Sequence, residues 1–198
     1  MEILNITKSS LRKKLLSYFF SNPHDEYYLR EIASVLSVDP GNLSRELKKM
    51  EASGVFRSRE KGKIKLYSVN DRNPLYKELK TIVFKTIGAE GLLKKAVEDE
   101  PGIEIAFIYG SFAQKKEAAG SDIDLFIAGS FDEDRFLSAV SGIEKKTGRE
   151  IHYAYWQREE ITEKLKQGDS FIKDMLAGEK IILKGTQDDV QALLGTFE

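Results

Sequence analysis

The sequence predicts an α+β protein of two domains, a basic helical part over about residues 1–85 and an acidic, strand-bearing part over 86–198. Three observations predict it. Residues 1–85 carry 17 Lys+Arg against 10 Asp+Glu, a net +7, whereas residues 86–198 carry 14 against 22, a net −8. Apolar side chains recur about every 3.6 positions up to Gly54 and every second position just after it. Farther on, IEIAFIYG (103–110) and SDIDLFIAG (121–129) are apolar runs of strand length, each ending in glycine. Opposite charge in the two halves points to different partners. The basic half suits a polyanion; the acidic half suits a cation, or a polyanion that brings metal with it.

Several classes are excluded. No apolar run approaches the roughly 18 residues of a membrane span. The opening MEILNITKSS lacks the basic-then-apolar layout of a secretory signal. With no cysteine there is no disulfide framework and no thiolate metal site, and two histidines, His24 and His152, cannot build a histidine-rich zinc centre. The expectation is a soluble, cytoplasmic protein without a membrane partner.

In chain order, LRKKLLSYFFS (11–21) sets Leu11, Leu15, Leu16 and Phe19 at helical spacing. YYLREIASVLS (27–37) predicts a shorter helix with Leu29, Ile32, Ala33 and Leu36 inward. In the third, Asp39 is a good N-cap, Pro40 suits the first helical position and Gly54 marks the stop. Leu43, Leu47 and Met50 make its apolar stripe, leaving Asn42, Ser44, Arg45, Lys48 and Lys49 on other faces. VFRSRE and IKLYSVN then alternate as strands around Lys61-Gly62-Lys63, a turn, with Arg57, Arg59, Lys61, Lys63 and Lys65 clustered on the hairpin. Asn73-Pro74 starts a connecting helix from about residue 74, with Leu75, Leu79, Ile82 and Val83 on one face.

Three helices followed by a basic hairpin resemble the winged helix-turn-helix of small bacterial and archaeal transcriptional regulators. The likeness covers about residues 8–72 and is most specific at LREIASVLSVDPGNLSRELKKMEASGVF. It implies double-stranded DNA as partner. A recognition helix enters the major groove by its N-terminal residues, here Asn42, Ser44 and Arg45, while Lys48 and Lys49 meet phosphates. Arg57, Arg59, Lys61 and Lys63 would grip the backbone from the wing. The connecting helix implies a homodimer, which a two-fold operator would require.

The acidic half holds the sharper puzzle. Residues i and i+2 of a strand share a face, so Asp122 and Asp124 project together. Two carboxylates that close repel by a few kcal/mol at an effective dielectric of about 20. One keeps its proton, or a cation bridges them. Oxygen ligands suit Mg²⁺ or Mn²⁺, and Mg²⁺ commonly arrives with substrate phosphates. Gly110 lets a backbone come close, and Ser111 offers a hydroxyl and an N–H to a phosphate. Ser121, at the head of the acid pair, joins Gly110 and Ser111 as a nucleotide-binding candidate. Beyond these, REIHYAYW (149–156) reads as a further strand, with Glu150 and His152 on one face by alternation.

Gly-Ser, ten residues, then Asp-x-Asp between apolar strands resembles the nucleotidyltransferase superfamily typified by DNA polymerase β, and most of all its minimal branch. The likeness covers about residues 88–185. It implies a mixed sheet with flanking helices, a nucleoside triphosphate with Mg²⁺ or Mn²⁺, and Asp122 and Asp124 as metal-holding catalytic acids. It also implies a third carboxylate on the following strand, 149–156, where the matching position holds His152. Glu150 substitutes for that acid, or the position is lost. Neutral histidine can accept a proton, yet it is a poor partner for Mg²⁺.

The rest reads as scaffold. REEITEKLKQG is a charged helix with Ile161 and Leu165 inward, and DSFIKDMLAG a second with Phe171, Ile172 and Met175 inward. EKIILKG is a strand end and DDVQALLG a closing helix, while Trp156 is a core aromatic or a wall for a base. Three functions fit: a DNA-binding regulator whose second domain senses a nucleotide, which the unbroken recognition-helix pattern favours; an enzyme moving NMP from NTP to a small molecule, protein or RNA; and an antitoxin-like module paired with a separate protein.

Overall fold

The structure, a computed structural model, describes residues 8–114 and 121–195. The chain divides into two compact units, residues 1–91 with 145–148, and residues 92–144 with 149–198.

The first unit opens with α1 (Ser10–Ser21), β1 (Tyr27–Tyr28), α2 (Leu29–Val35) and α3 (Pro40–Ala52), followed by the hairpin β2 (Phe56–Lys61) and β3 (Ile64–Val69). The Asp39 carboxylate caps α3 through the Asn42 N–H at 2.7 Å. Gly54 takes φ +73° just beyond the helix, and Gly62 takes φ +63° in the hairpin turn; glycine meets both without a Cβ clash. Leu43, Leu47 and Met50 are buried with Leu15, Leu16, Phe19, Ile32, Ala33 and Leu36, so the helical stripes form one core. Two expectations change. Tyr27 and Tyr28 leave the second helix and pair with Tyr67 and Leu66, adding a third strand to the hairpin. In the connecting segment, α4 (Tyr76–Thr86) begins after Leu75, which is 60% exposed, and Tyr76 packs on the core in its place. A new helix, α5 (Ala89–Glu98), follows at once. A Cβ on Gly91 would stand 2.3 Å from the Thr86 carbonyl oxygen, so the chain passes closely over itself there.

The second unit is built on β4 (Ile103–Tyr109), α6 (Gly110–Ala113), β5 (Ile123–Gly129), α7 (Glu133–Thr147), β6 (Ile151–Trp156), α8 (Arg158–Lys166), α9 (Ser170–Ala177), β7 (Ile181–Lys184) and α10 (Gln187–Gly195). The sheet order is β6-β5-β4-β7, with β5 and β6 parallel and the other pairs antiparallel. It is a mixed sheet in an α+β unit, as expected. Phe107 and Phe126 stack at 4.6 Å on one face and are covered by Ile161, Ile172, Met175, Leu176, Val190 and Leu193. Trp156 packs on that cluster 5.9 Å from Phe126, as a core aromatic. Phe171, expected inward, is 54% exposed. On a helix it lies about 100° away from Ile172, and its ring meets Tyr109 edge-on at 6.4 Å instead.

Candidate functional site

Strand pairing explains how distant residues reach one place. Tyr109 is paired with Asp124 across β4 and β5, and Asp124 with His152 across β5 and β6. Directly paired residues share a face, so these three lie on the face of Phe107 and Phe126. Asp122 sits one residue before β5 and is half-buried; Glu150 sits one residue before β6 and is exposed. The Ile123 N–H donates to the Glu150 carbonyl at 2.9 Å, which keeps the two strand entries in register.

Gly110 completes the arrangement from the other side. Its φ is +72°, and a Cβ there would lie 2.5 Å from an Asp124 carboxylate oxygen. The backbone of the Gly-Ser pair therefore leans on the second acid, and Ser111 follows it with an exposed side chain. The two halves of the sequence pattern meet.

Charge is concentrated without being neutralised. His152 holds Nδ1 3.9 Å from Asp122 Oδ2 and Nε2 3.9 Å from Glu150 Oε2, too long for hydrogen bonds. One ligand atom from each of Asp122, Glu150 and His152 lies within 4.8 Å of the others. Burial raises the Asp124 carboxyl above its ordinary pKa; His152 pulls it down and Asp122 pushes it up. Burial and then the Asp124 charge likewise raise the Tyr109 hydroxyl. A carboxylate pair under such pressure is a ready place for a cation.

Sequence reasoning missed two contributors. Arg149 is buried, donates from its guanidinium to the Ser121 carbonyl and lies 5.7 Å from the Phe112 ring. It ties the residue before Asp122 to the residue before Glu150, and a charged side chain heading an apolar strand was its only signal. Tyr109, the last residue of an apolar run, carries no motif.

In the first unit, Asn42, Arg45, Lys48 and Lys49 are exposed on α3 and Ser44 is half-buried. Arg45 donates to the Asn42 side chain. Several hairpin cations are already engaged: Arg57 with Asp71 at 3.0 Å, Arg59 with Glu26, and Lys65 with Glu51 at 2.8 Å. Lys61 and Lys63 have no ion pair among the described residues.

Comparison with known families decides what the second unit is. Residues 92–185 match the family described as Polymerase beta, Nucleotidyltransferase. They are a nucleotidyltransferase domain. No curated protein matches the chain significantly. Solved structures similar to it include a toxin–antitoxin with AMP-PNP, at 17% identity over 52% of this chain and 79% of that one, TM-score 0.40. Another is the tri-AMPylated Shewanella oneidensis HEPN toxin in complex with MNT antitoxin, at 15% identity over 52% of this chain and 76% of that one, TM-score 0.35. Likeness at that level fixes neither partner nor activity. The nucleotidyltransferase domain does carry an acidic cluster suited to a divalent ion.

Proposed function

We propose that the nucleotidyltransferase domain binds a nucleoside triphosphate with a divalent metal ion and transfers its nucleotidyl group to an acceptor hydroxyl. The observation that carries this reading is the lean of Gly110 on the Asp124 carboxylate, which sets the Gly-Ser backbone beside the second acid, as a phosphate bridged to a metal ion would require. Asp122 and Asp124 would hold the ion, with Glu150 and His152 within reach; three carboxylates and an imidazole are a fitting donor set. Such an ion would offset phosphate charge and favour in-line displacement at the α-phosphorus. Ser111 would donate to a phosphate oxygen, and Arg149 would keep Ser121 and the acids behind it in place. As the acceptor oxygen bonds to phosphorus and pyrophosphate leaves, the acceptor proton would pass to water.

Calorimetric titration of ATP, GTP, CTP and UTP with Mg²⁺ or Mn²⁺ tests the binding half, and label transfer from α-³²P NTPs tests the chemistry. At least one nucleotide should bind at least tenfold more tightly when metal is present, and Asp122→Ala should weaken that metal-supported binding at least tenfold. Binding that ignores both metal and Asp122 would remove the basis of the reading.

For the first unit we propose double-stranded DNA, which would make the chain a regulator as well. This reading is favoured by the exposed row Asn42, Arg45, Lys48, Lys49 and by Lys61 and Lys63 outside any described ion pair. Arg45→Ala should weaken specific binding by about 1–3 kcal/mol, roughly 5- to 150-fold. Unchanged affinity in a gel-shift titration would exclude α3 as the reading element.

A further inference from the structure

Where the nucleotidyltransferase resemblance implies a third carboxylate, this chain has His152, paired in register with Asp124. The substitution does more than delete an acid. The imidazole stands between two other carboxylates, 3.9 Å from Asp122 on one side and 3.9 Å from Glu150 on the other. One ligand atom from each of the three lies within 4.8 Å of the rest. A first-row ion at about 2.0–2.2 Å from each ligand holds neighbouring ligand atoms about 3 Å apart. The two 3.9 Å contacts use opposite imidazole nitrogens, so a shared ion must close a spacing of up to 4.8 Å, a movement of up to about 2 Å. The side chains have room for it, because Asp122, His152 and Glu150 are 42%, 64% and 77% exposed.

Ligand chemistry then selects among ions. Mg²⁺ wants near-ideal octahedral oxygen and keeps its waters, whereas imidazole suits Mn²⁺, Fe²⁺, Co²⁺ and Zn²⁺ increasingly well. We infer that Asp122, Glu150 and His152 form a mixed carboxylate–imidazole site that takes a first-row transition-metal dication in preference to Mg²⁺, with Mn²⁺, the weakest binder of that series, as the most stringent probe. Asp124, tucked against Gly110, would complete the ligand set from the nucleotide side. The inference names the ion of the proposed nucleotide reading and rests on it for purpose, but the site itself needs no nucleotide.

The test uses the intact protein and metal alone. Mn²⁺ is titrated with free ion followed by electron paramagnetic resonance, and Mg²⁺ is then added as competitor. Displacement should require Mg²⁺ in large excess. His152→Ala should weaken Mn²⁺ by about 10- to 100-fold while changing Mg²⁺ less than threefold, and His152→Asp should swing the preference toward Mg²⁺. Circular dichroism confirms that each variant is folded. Displacement by equimolar Mg²⁺, or Mn²⁺ affinity unchanged in His152→Ala, overturns the inference. Calorimetry of ATP in Mg²⁺ on the same proteins separates the two ideas. Nucleotide binding with no role for His152 leaves the nucleotide reading standing and sinks the site. Tight His152-dependent Mn²⁺ with no nucleotide binding does the reverse.

Discussion

Gly110 and Gly62 share a left-handed backbone but not a neighbourhood. Gly110 has φ +72° with Asp124 within 2.5 Å of a would-be Cβ, whereas Gly62 has φ +63° and nothing within 4 Å. Alanine at either position costs about 1 kcal/mol of backbone strain, but only at 110 must a carboxylate move. Gly110→Ala should therefore lower metal-dependent nucleotide affinity at least tenfold, and Gly62→Ala should leave it unchanged at a similar loss of unfolding midpoint. Equal effects of the two on binding would show that strain, not the close approach, matters. Asp124 itself gives a pH prediction. Burial raises its folded pKa, so the folded chain holds that proton to higher pH than the unfolded chain does. Its contribution to stability is full below the ordinary carboxylate pKa and is lost as pH rises through the folded value. In metal-free buffer, Asp124→Asn should thus raise the denaturant midpoint at pH 7 to 8, with the gain fading toward pH 4. A midpoint that falls at neutral pH would mean the carboxylate is held by a favourable partner.

On α3 the two roles of a helix separate by face. Leu47 is fully buried, while Lys48 beside it is exposed. Leu47→Ala should cost about 2–5 kcal/mol, read from urea unfolding, and Lys48→Ala within about 0.5 kcal/mol. A comparable cost at Lys48 would place it in the fold's support and not on a contact surface. This helix was legible in the sequence because Asp39, Pro40 and Gly54 punctuate it and three apolar residues keep phase between them. Elsewhere the helix was read but the phase of its buried face was not. The connecting segment has a helical stripe, but its phase was set by Leu75 where the structure packs a half-buried Tyr76. In α9, Phe171 looked inward because aromatics usually are, yet the Asp169 cap fixes a phase that buries Ile172, Met175 and Leu176. The site was legible in its parts, since Gly-Ser and Asp-x-Asp are local patterns. Its assembly was not: that His152 falls beside Asp124, and that Glu150 swings to the same cluster, depends on parallel pairing between strands 28 residues apart in sequence. Local periodicity carries no record of which strand lies next to which.

At the scale of the whole chain, the split between +7 over residues 1–85 and −8 over residues 86–198 gives the two proposed ligands opposite responses to salt. DNA arrives with condensed counterions, and each phosphate neutralised releases them, giving a slope of about −0.9 per contact in log K against log salt. With Arg57 and Arg59 already paired to Asp71 and Glu26, the effective cations are Arg45, Lys48, Lys49, Lys61 and Lys63. The slope should be about −4.5, and Lys61→Ala with Lys63→Ala should reduce its size by about 2. A nucleoside triphosphate meets the other half, where like charge repels it and salt screens the repulsion over about 10 Å at 0.1 M. Residual affinity for ATP in chelator should therefore rise between 50 and 300 mM KCl. Adding the divalent ion offsets the carboxylates locally, so the metal-supported affinity should be nearly flat or fall slightly over the same range. Titrations of one preparation with a DNA duplex and with ATP, each across the salt series, would compare the signs directly. A metal-free ATP affinity that drops with salt as steeply as DNA binding would mean the nucleotide is held by cations of the basic half, and would move the phosphate site away from Ser111.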